Sequence, residues 1–368
     1  MEHDIVYRMA FAGIRGITPA LADEMISRLG SEQVFFESSR RQLGAVMGSD
    51  NRLYDDDYRA SLLREARAEV DFVDRNHIRA LYYTDPAYPA RLRQIVDAPL
   101  LVYTLGPADL DRGHFISIVG TRHATPYGID FVNRLVADLK SRLVEPVTVV
   151  SGLAFGIDAA AHSASLKSGV PTVGVLAHGL NTIYPAQHRS MAADIIHSGG
   201  ALITEYPSSS RIHKGNFLAR NRIVAGLADC VIVAESAEKG GALVTARLAM
   251  GYSRDVFALP GRSSDPYSAG CNRLIANDTA GLITDASDII RRMMWTEKPK
   301  ESSQPALFRE LTPAEQAVID VLTRLGEAGL NQLATASGVS IGMLMSMLID
   351  MEFRGLILSF PGGKYRLA

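Results

Sequence analysis

The chain has 368 residues, of which 47% are hydrophobic and 21% charged, so it can bury an ordinary globular core and is neither collagen-like nor disordered. Its 38 basic and 40 acidic residues nearly cancel, which excludes a polybasic nucleic-acid coat but not a local basic groove. Two cysteines are too few for a disulfide framework or a cysteine-rich zinc site, and the scattered histidines predict no metal site.

The chain shows no sequence signal for export or membrane insertion. It opens on Met1–Asp4 without a basic or apolar stretch, which predicts no signal peptide. No apolar run reaches about 18 residues, the length that a membrane-spanning helix needs. We therefore expect a cytoplasmic protein without a membrane partner.

The first 75 residues are predicted to be helical, because their apolar residues recur at helical spacing. Thr18 and Pro19 are suited to cap and begin one helix, and Gly30 is suited to end it. This region resembles a SAM-like or helix-hairpin-helix unit, and a plain helical scaffold without a role in DNA contact is the favoured interpretation. Residues 76–111, with strand-like runs at 81–83 and 100–103, are predicted to bridge to the next domain.

From residue 112 to 292 the pattern changes to alternating strands and helices. Six short apolar runs predict strands, at 115–119, 147–150, 172–176, 201–205, 230–234 and 256–259. Amphipathic stretches of helical length separate them, as is typical of βαβ units. The sequence therefore predicts an α/β fold, a Rossmann-like, doubly wound and mostly parallel sheet with helices on both faces.

The remaining chain predicts a linker and a winged helix. Residues 293–310 are polar and contain proline, and 311–368 read as three helices and a hairpin. Thr312 and Glu315 form a predicted capping box, and further helices are expected at 331–337 and 341–353. The last helix has four methionines, two acids and no side chain suited to reading a major groove. We therefore expect this unit to contact protein rather than read duplex sequence.

Glycine turns follow four of the six predicted strands, at the edge where open parallel sheets bind ligands. They lie at 120–122, 152–156, 240–245 and 260–262. Backbone N–H groups in such turns, and the helix N-termini that follow them, favour anions. Four turns on one edge therefore predict a site for an elongated anionic ligand or a nucleotide.

A basic segment adds to this prediction. Residues 208–222 carry four cations and no acid, with Phe217 among the cations. Cations neutralise phosphates, and an aromatic ring stacks on a base for about 1–3 kcal/mol. The alternative is that Phe217 belongs to the core and the cations are solvated. Asp158 and His162 are likewise either a catalytic pair or structural residues of one helix.

Common enzyme motifs are absent from the sequence. It contains no G-x-G-x-x-G, Walker A or G-x-S-x-G pattern, so no cofactor and no nucleotide hydrolysis are predicted.

Four strings carry a family resemblance: 118–122, 151–162, 214–222 and 255–261. Together with the two flanking units, they resemble the DNA-processing protein A family (DprA, also called Smf). The resemblance implies a non-enzymatic protein of natural transformation that binds and protects incoming single-stranded DNA and loads the RecA recombinase. It also implies a homodimer formed through the Rossmann-like domain.

The resemblance assigns the site residues as well. Arg122 and Lys214 are expected to contact phosphates, and Phe217 to contact a base. The full expected set is Gly120, Thr121, Arg122, Gly152, Phe155, Gly156, Lys214, Phe217, Arg220, Asn221, Arg222, Gly240, Gly241 and Thr245. Residues 270–279 depart from the family pattern and add Asp278, so we expect that loop not to bind DNA.

Two other functions stay open at this point. Nucleotide phosphoribohydrolases use a similar sheet with a P-G-G-x-G-T-x-x-E motif, whose glutamate is missing after Thr245. The second is a regulator that binds duplex DNA through the winged helix, although the absence of cations from the helix at 341–353 disfavours this function.

Overall fold

A computed structural model describes residues 2–48, 51–299, 311–360 and 362–368. The chain divides into two compact units, Met1–Lys298 and Pro299–Ala368. Within the predicted linker, residues 300–310 lie outside the described residues.

The first unit opens with helices. These are α1 (Glu2–Ala12), α2 (Pro19–Leu29), α3 (Glu32–Glu37), α4 (Arg40–Met47) and α5 (Asp56–Arg75). Thr18 caps α2 by accepting a hydrogen bond from the Leu21 N–H, and Gly30 ends it at a φ of +93°. Both features agree with the predicted cap and stop.

In the part of the chain that the structure describes, nine strands form one sheet in the order β1-β2-β6-β5-β4-β3-β7-β8-β9. Their bounds are β1 (Arg79–Tyr82), β2 (Leu101–Leu105), β3 (His114–Gly120), β4 (Val147–Ser151), β5 (Thr172–Val175), β6 (Ala201–Thr204), β7 (Cys230–Glu235), β8 (Asp255–Ala258) and β9 (Gly281–Leu282). Strands β3 to β9 pair in parallel, whereas β1 and β2 extend one edge as antiparallel strands. The predicted Rossmann-like, mostly parallel sheet is confirmed.

Further helices cover both faces of this sheet. They are α6 (Ala90–Arg93), α7 (Pro126–Arg142), α8 (Ile157–Ser168), α9 (Arg189–His197), α10 (Lys214–Gly226), α11 (Ala242–Gly251), α12 (Ala269–Ala276) and α13 (Ala286–Met293). One apolar core contains Phe131 of α7 and Ile289 of α13. A second, larger core joins Val224 of α10 with Phe11 of α1 and Leu43 of α4. Helices α1–α5 therefore pack against the sheet within one compact unit.

The second unit is a winged helix, as predicted. It contains α14 (Pro313–Leu325), β10 (Ala328–Gly329), α15 (Leu330–Ser337), α16 (Ile341–Phe353), β11 (Ile357–Phe360) and β12 (Lys364–Leu367). Thr312 and Glu315 form the capping box at the start of α14. The core is built on Val318, Leu333 and Leu348, all of which are buried.

Among the described residues, no single helix is long and apolar enough to cross a membrane. Only α15 and α16 taken together reach that length, and they are bent by 108° relative to each other. Within the same residues, no cluster of three His, Cys, Asp or Glu side chains is placed to hold a metal ion.

Candidate nucleic-acid interface

Two glycine turns pack backbone against backbone at the carboxyl edge of the sheet. Gly156 has a φ of +78°, and a Cβ on it would lie 2.6 Å from the carbonyl carbon of Arg122. The Ile157 N–H donates to the Thr121 carbonyl oxygen at 3.1 Å. Gly120 is equally confined, since its Cβ would lie 2.5 Å from the Ile157 side chain. Glycine at positions 120 and 156 allows this close packing, which fixes the backbone position of Arg122 just after β3.

Two carboxylates beneath these turns hold the backbone in place. Asp158 is buried and accepts from the N–H groups of Gly152 at 3.2 Å and Ala154 at 3.4 Å. Burial raises the pKa of Asp158, while Arg220 and these N–H groups oppose the rise. Glu235 accepts from the Thr125 N–H at 2.8 Å and from its hydroxyl at 2.5 Å. Both acids are thus engaged in structure.

His162 belongs to the core rather than to a catalytic pair. It is fully buried, and its Nδ1 lies 2.8 Å from the Thr172 hydroxyl. Burial lowers the pKa of His162 to about 3, so the ring is neutral at physiological pH. The structural interpretation of this histidine fits the geometry.

The start of α10 places cations and an aromatic ring at the same edge. His213 caps the helix by accepting from the Gly215 N–H at 3.1 Å. The guanidinium carbon of Arg122 lies 6.0 Å from the centroid of the Phe217 ring, within reach of a cation–π interaction. Arg122 and Lys214 are exposed, and neither has an ion-pair partner in the described part of the chain. These two positive charges are therefore available to an anion.

A cavity of about 300 Å³ lies between the turns and α10. Ten of the fourteen predicted site residues line it: Gly120, Thr121, Arg122, Gly152, Phe217, Arg220, Asn221, Gly240, Gly241 and Thr245. Arg220 is buried and donates to the Val175 carbonyl at 2.7 Å, so it is not an exposed cation like Arg122. Burial lowers the pKa of Arg220, and the side chain supports the Gly152 turn from below.

Four predicted residues do not line this cavity. Lys214 begins α10 one turn before Phe217, and Gly156 packs under the Thr121 turn. Phe155 is 43% exposed and its ring lies 4.9 Å from that of His188. Arg222 lines a different cavity, where it pairs with Glu205. Arg222 faces a different direction from Phe217, because a separation of five residues along an α-helix rotates a side chain by about 140° around the helix axis.

The structure also brings to this edge residues that the sequence did not indicate. Tyr184 is 48% exposed, and its ring centroid lies 5.6 Å from that of Phe217. Leu218 is exposed and lines the same cavity. The signal for Tyr184 was available, because it lies in the loop that follows a predicted strand, where the strand-end rule applies.

With this geometry established, comparison with known proteins identifies the family. A family model described as DNA recombination-mediator protein A matches residues 79–294, more than half of the chain. The chain belongs to the DprA/Smf family. A second model, the DprA winged helix domain, matches residues 299–363.

Relatives and solved structures agree with this family. Protein Smf of Escherichia coli is 33% identical over 76% of this chain and 75% of its own length. A putative DNA processing protein DprA of Mycobacterium tuberculosis is 39% identical over 73% of this chain and 68% of its own length.

Two solved DprA structures share the fold. DprA of Streptococcus pneumoniae matches with a TM-score of 0.62 and 29% identity, covering 78% of this chain and 96% of that chain. The structure of DprA from Helicobacter pylori, which concerns the single-stranded DNA binding mode of that protein, matches with a TM-score of 0.52 and 30% identity. That match covers 59% of this chain and 95% of the Helicobacter chain.

Proposed function

We propose that this protein binds single-stranded DNA across the carboxyl edge of its parallel strands. In this proposal it protects strands that enter during natural transformation and loads RecA onto them. One observation carries it: the exposed Arg122, which has no ion-pair partner among the described residues, lies 6.0 Å from the Phe217 ring at a cavity lined by glycine turns, and the exposed Lys214 begins the same helix as Phe217.

The chemistry of this edge suits a single strand. Arg122 and Lys214 would neutralise phosphates, and the glycine turns would offer N–H groups to further phosphate oxygens. Phe217 and Tyr184 would offer ring surfaces to unstacked bases. Stacking accepts every base, so we expect little sequence preference. A duplex would keep its bases stacked and would not use these rings.

We propose that the protein binds single-stranded DNA and does not catalyse a reaction on it. Asp158 and Glu235, two carboxylates beside the glycine turns, are buried and already hydrogen-bonded to loop backbone. The single-stranded DNA binding stated for the Helicobacter structure, at 30% identity, supports the same ligand for this chain.

A charge-reversal variant tests the site. Arg122→Glu/Lys214→Glu should lose most binding to a short oligothymidine and show a weaker salt dependence. The slope of log K against log salt should fall by about 0.7 for each phosphate that the variant no longer neutralises. Unchanged affinity and slope would contradict the assignment.

A matched control separates this effect from net charge. Arg112→Glu/Lys167→Glu makes the same change in charge with two exposed cations that precede β3 and β5, at the opposite edge of the sheet. This variant should retain nearly all affinity at moderate salt, because the mutated charges lie far from the proposed groove and are screened.

RecA loading and homodimer formation through the Rossmann-like domain rest on the family resemblance. The loading proposal predicts faster RecA filament formation on strands precoated with a single-strand-binding protein. The Arg122→Glu/Lys214→Glu variant should not accelerate it. Equal acceleration by the variant would separate RecA loading from this DNA site.

A further inference from the structure

Helix α5 carries a carboxylate in the middle of its buried stripe. The stripe includes Leu62, Ala66, Glu69 and Val73. Glu69 is only 6% exposed, and glutamate is rarely buried to that extent unless its charge is paired. It has no ion-pair partner in the described part of the chain. Hydrogen bonds must therefore compensate for the loss of water around its charge.

Ser208, 139 residues later in the chain, supplies three hydrogen bonds to this carboxylate. Its N–H donates to both oxygens of Glu69 at 2.9 Å, and its hydroxyl donates to one of them at 2.6 Å. Hydrogen bonds to an ionised acceptor are about twice as strong as those between neutral groups. Glu69 therefore fixes the backbone at Ser208, within the segment 205–213 that joins β6 to α10.

The opposite side of this segment rests against the backbone of Gly179. A Cβ on Gly179 would lie 2.5 Å from the Pro207 carbonyl oxygen and 2.7 Å from the Cα of Ser208. Beyond this point the chain comes to the surface, and residues 211–214 are all exposed. Ser208, held between Gly179 and Glu69, therefore sets the place from which the exposed stretch leads to Lys214.

A cavity of about 340 Å³ separates α1 and α5 from this segment. Glu69, Pro207 and Ser209 are among its lining residues. Unfilled space provides no van der Waals contacts that would hold the segment against the helices. Further along, Asn216 donates to the Arg211 carbonyl at 3.4 Å, a longer hydrogen bond than those at Glu69. The hydrogen bonds between Glu69 and Ser208 are therefore the main link that fixes the segment relative to α5.

We propose that Glu69 is a positioning residue for the single-stranded DNA site, so that α5 acts in DNA binding without contacting the strand. Glu69 fixes Ser208, and Ser208 sets the path of the exposed stretch that brings Lys214 to the groove. Helices α1–α5 are then the support for one of the two phosphate-binding cations. This inference rests on the proposed function, from which it takes its ligand.

Glu69→Gln separates this role from an effect of charge. The substitution removes a negative charge, which by electrostatics alone would strengthen binding to a polyanion. It also replaces an acceptor oxygen with an NH₂ group, which cannot accept from Ser208. The positioning role predicts the opposite sign, a loss of about tenfold in affinity for oligothymidine, because a charge-assisted phosphate contact is no longer in place.

Glu65→Gln is the matched control. Glu65 is exposed, lies one turn earlier on α5, lines the same cavity, and has no hydrogen-bond partner in the described part of the chain. This variant makes the same change in charge without breaking a hydrogen bond. It should therefore bind oligothymidine as tightly as wild type or slightly more tightly.

A double-mutant cycle shows whether Glu69 acts through Lys214. In a Lys214→Ala background, the loss caused by Glu69→Gln should shrink to less than about twofold, because the cation that Glu69 positions is gone. In an Arg122→Ala background the full loss should remain, since Arg122 follows β3 and does not depend on the segment. A general loss of stability would lower the affinity equally in both backgrounds.

Fluorescence anisotropy with labelled oligothymidine measures these affinities, and urea unfolding shows that each variant is folded under the conditions of binding. Wild-type or tighter binding by Glu69→Gln, or an equal loss in the two backgrounds, would overturn the inference while leaving the proposed function intact. Failure of the wild-type chain to bind oligothymidine would overturn the proposed function and this inference with it.

Discussion

Phe217→Ala is the substitution that separates base stacking from phosphate binding. The centroid of the Phe217 ring lies 5.6 Å from that of Tyr184 and 6.0 Å from the guanidinium carbon of Arg122. Removing it takes away an apolar surface at the mouth of the cavity and removes no charge. The proposed role therefore predicts a loss of affinity without a loss of salt dependence.

The magnitude follows from the stacking of one base. Stacking of a base on an aromatic side chain is worth about 1–3 kcal/mol, which is about a 5- to 150-fold change in the dissociation constant. The slope of log K against log salt should stay within experimental error of wild type, since Arg122 and Lys214 remain. Phe217→Tyr should restore most of the affinity.

Fluorescence anisotropy with labelled oligothymidine, between about 50 and 200 mM salt, measures both quantities. Leu218→Ala is the matched control, because Leu218 is the next residue of α10 and is 56% exposed at the same cavity. It should weaken binding less than about threefold. Wild-type affinity for Phe217→Ala, or a slope reduced as in a charge reversal, would refute the stacking role.

Three further predictions concern the framework of the site. Gly156→Ala, at a φ of +78° and with a Cβ 2.6 Å from the Arg122 backbone, should lower the midpoint of urea unfolding and weaken oligothymidine binding. Gly251→Ala, at the exposed end of α11 and outside the cavity, should do neither, and equal midpoints for wild type and Gly156→Ala would contradict the packing of the two turns. Because the pKa of His162 is lowered to about 3 from a normal value of 6.5, the unfolded chain binds its proton more tightly between these values. The free energy of unfolding should then fall by about 1.4 kcal/mol per pH unit as the pH drops below about 6, and His162→Gln should remove that part of the slope in urea titrations. Burial raises the pKa of Cys271 to about 12 and that of Cys230 well above its normal value, so neither thiol should react with a thiol reagent at neutral pH until the chain unfolds; rapid labelling of the native protein would show that one of them is accessible.

The fold could be predicted from the sequence because strand and helix periods are local properties. The apolar runs at 115–119 and 230–234 correspond to β3 and β7, each within about a residue at either end. The antiparallel edge formed by β1 and β2 was harder to predict from the sequence. Pairing of β2 with β6 joins segments about a hundred residues apart, and no local pattern encodes such a partner.

The sequence predicted which turns form the site better than it predicted the directions of the side chains on α10. Glycine turns at strand ends had to meet at one edge because parallel strands share it. Arg222, however, is two residues from Arg220 in the same basic segment and faces another cavity, where it pairs with Glu205. Two residues along an α-helix correspond to a rotation of about 200°, so cations that are near neighbours in the sequence do not share one face of the helix.

Ultraviolet cross-linking of oligothymidine to the full chain, followed by peptide mass spectrometry, tests the central claim most directly. If a single strand lies across the carboxyl edge, the cross-links should fall on Phe217 and Tyr184 and should diminish in the Arg122→Glu/Lys214→Glu variant. Cross-links confined to the wing at 357–367, or to helices α1–α5, would contradict the account.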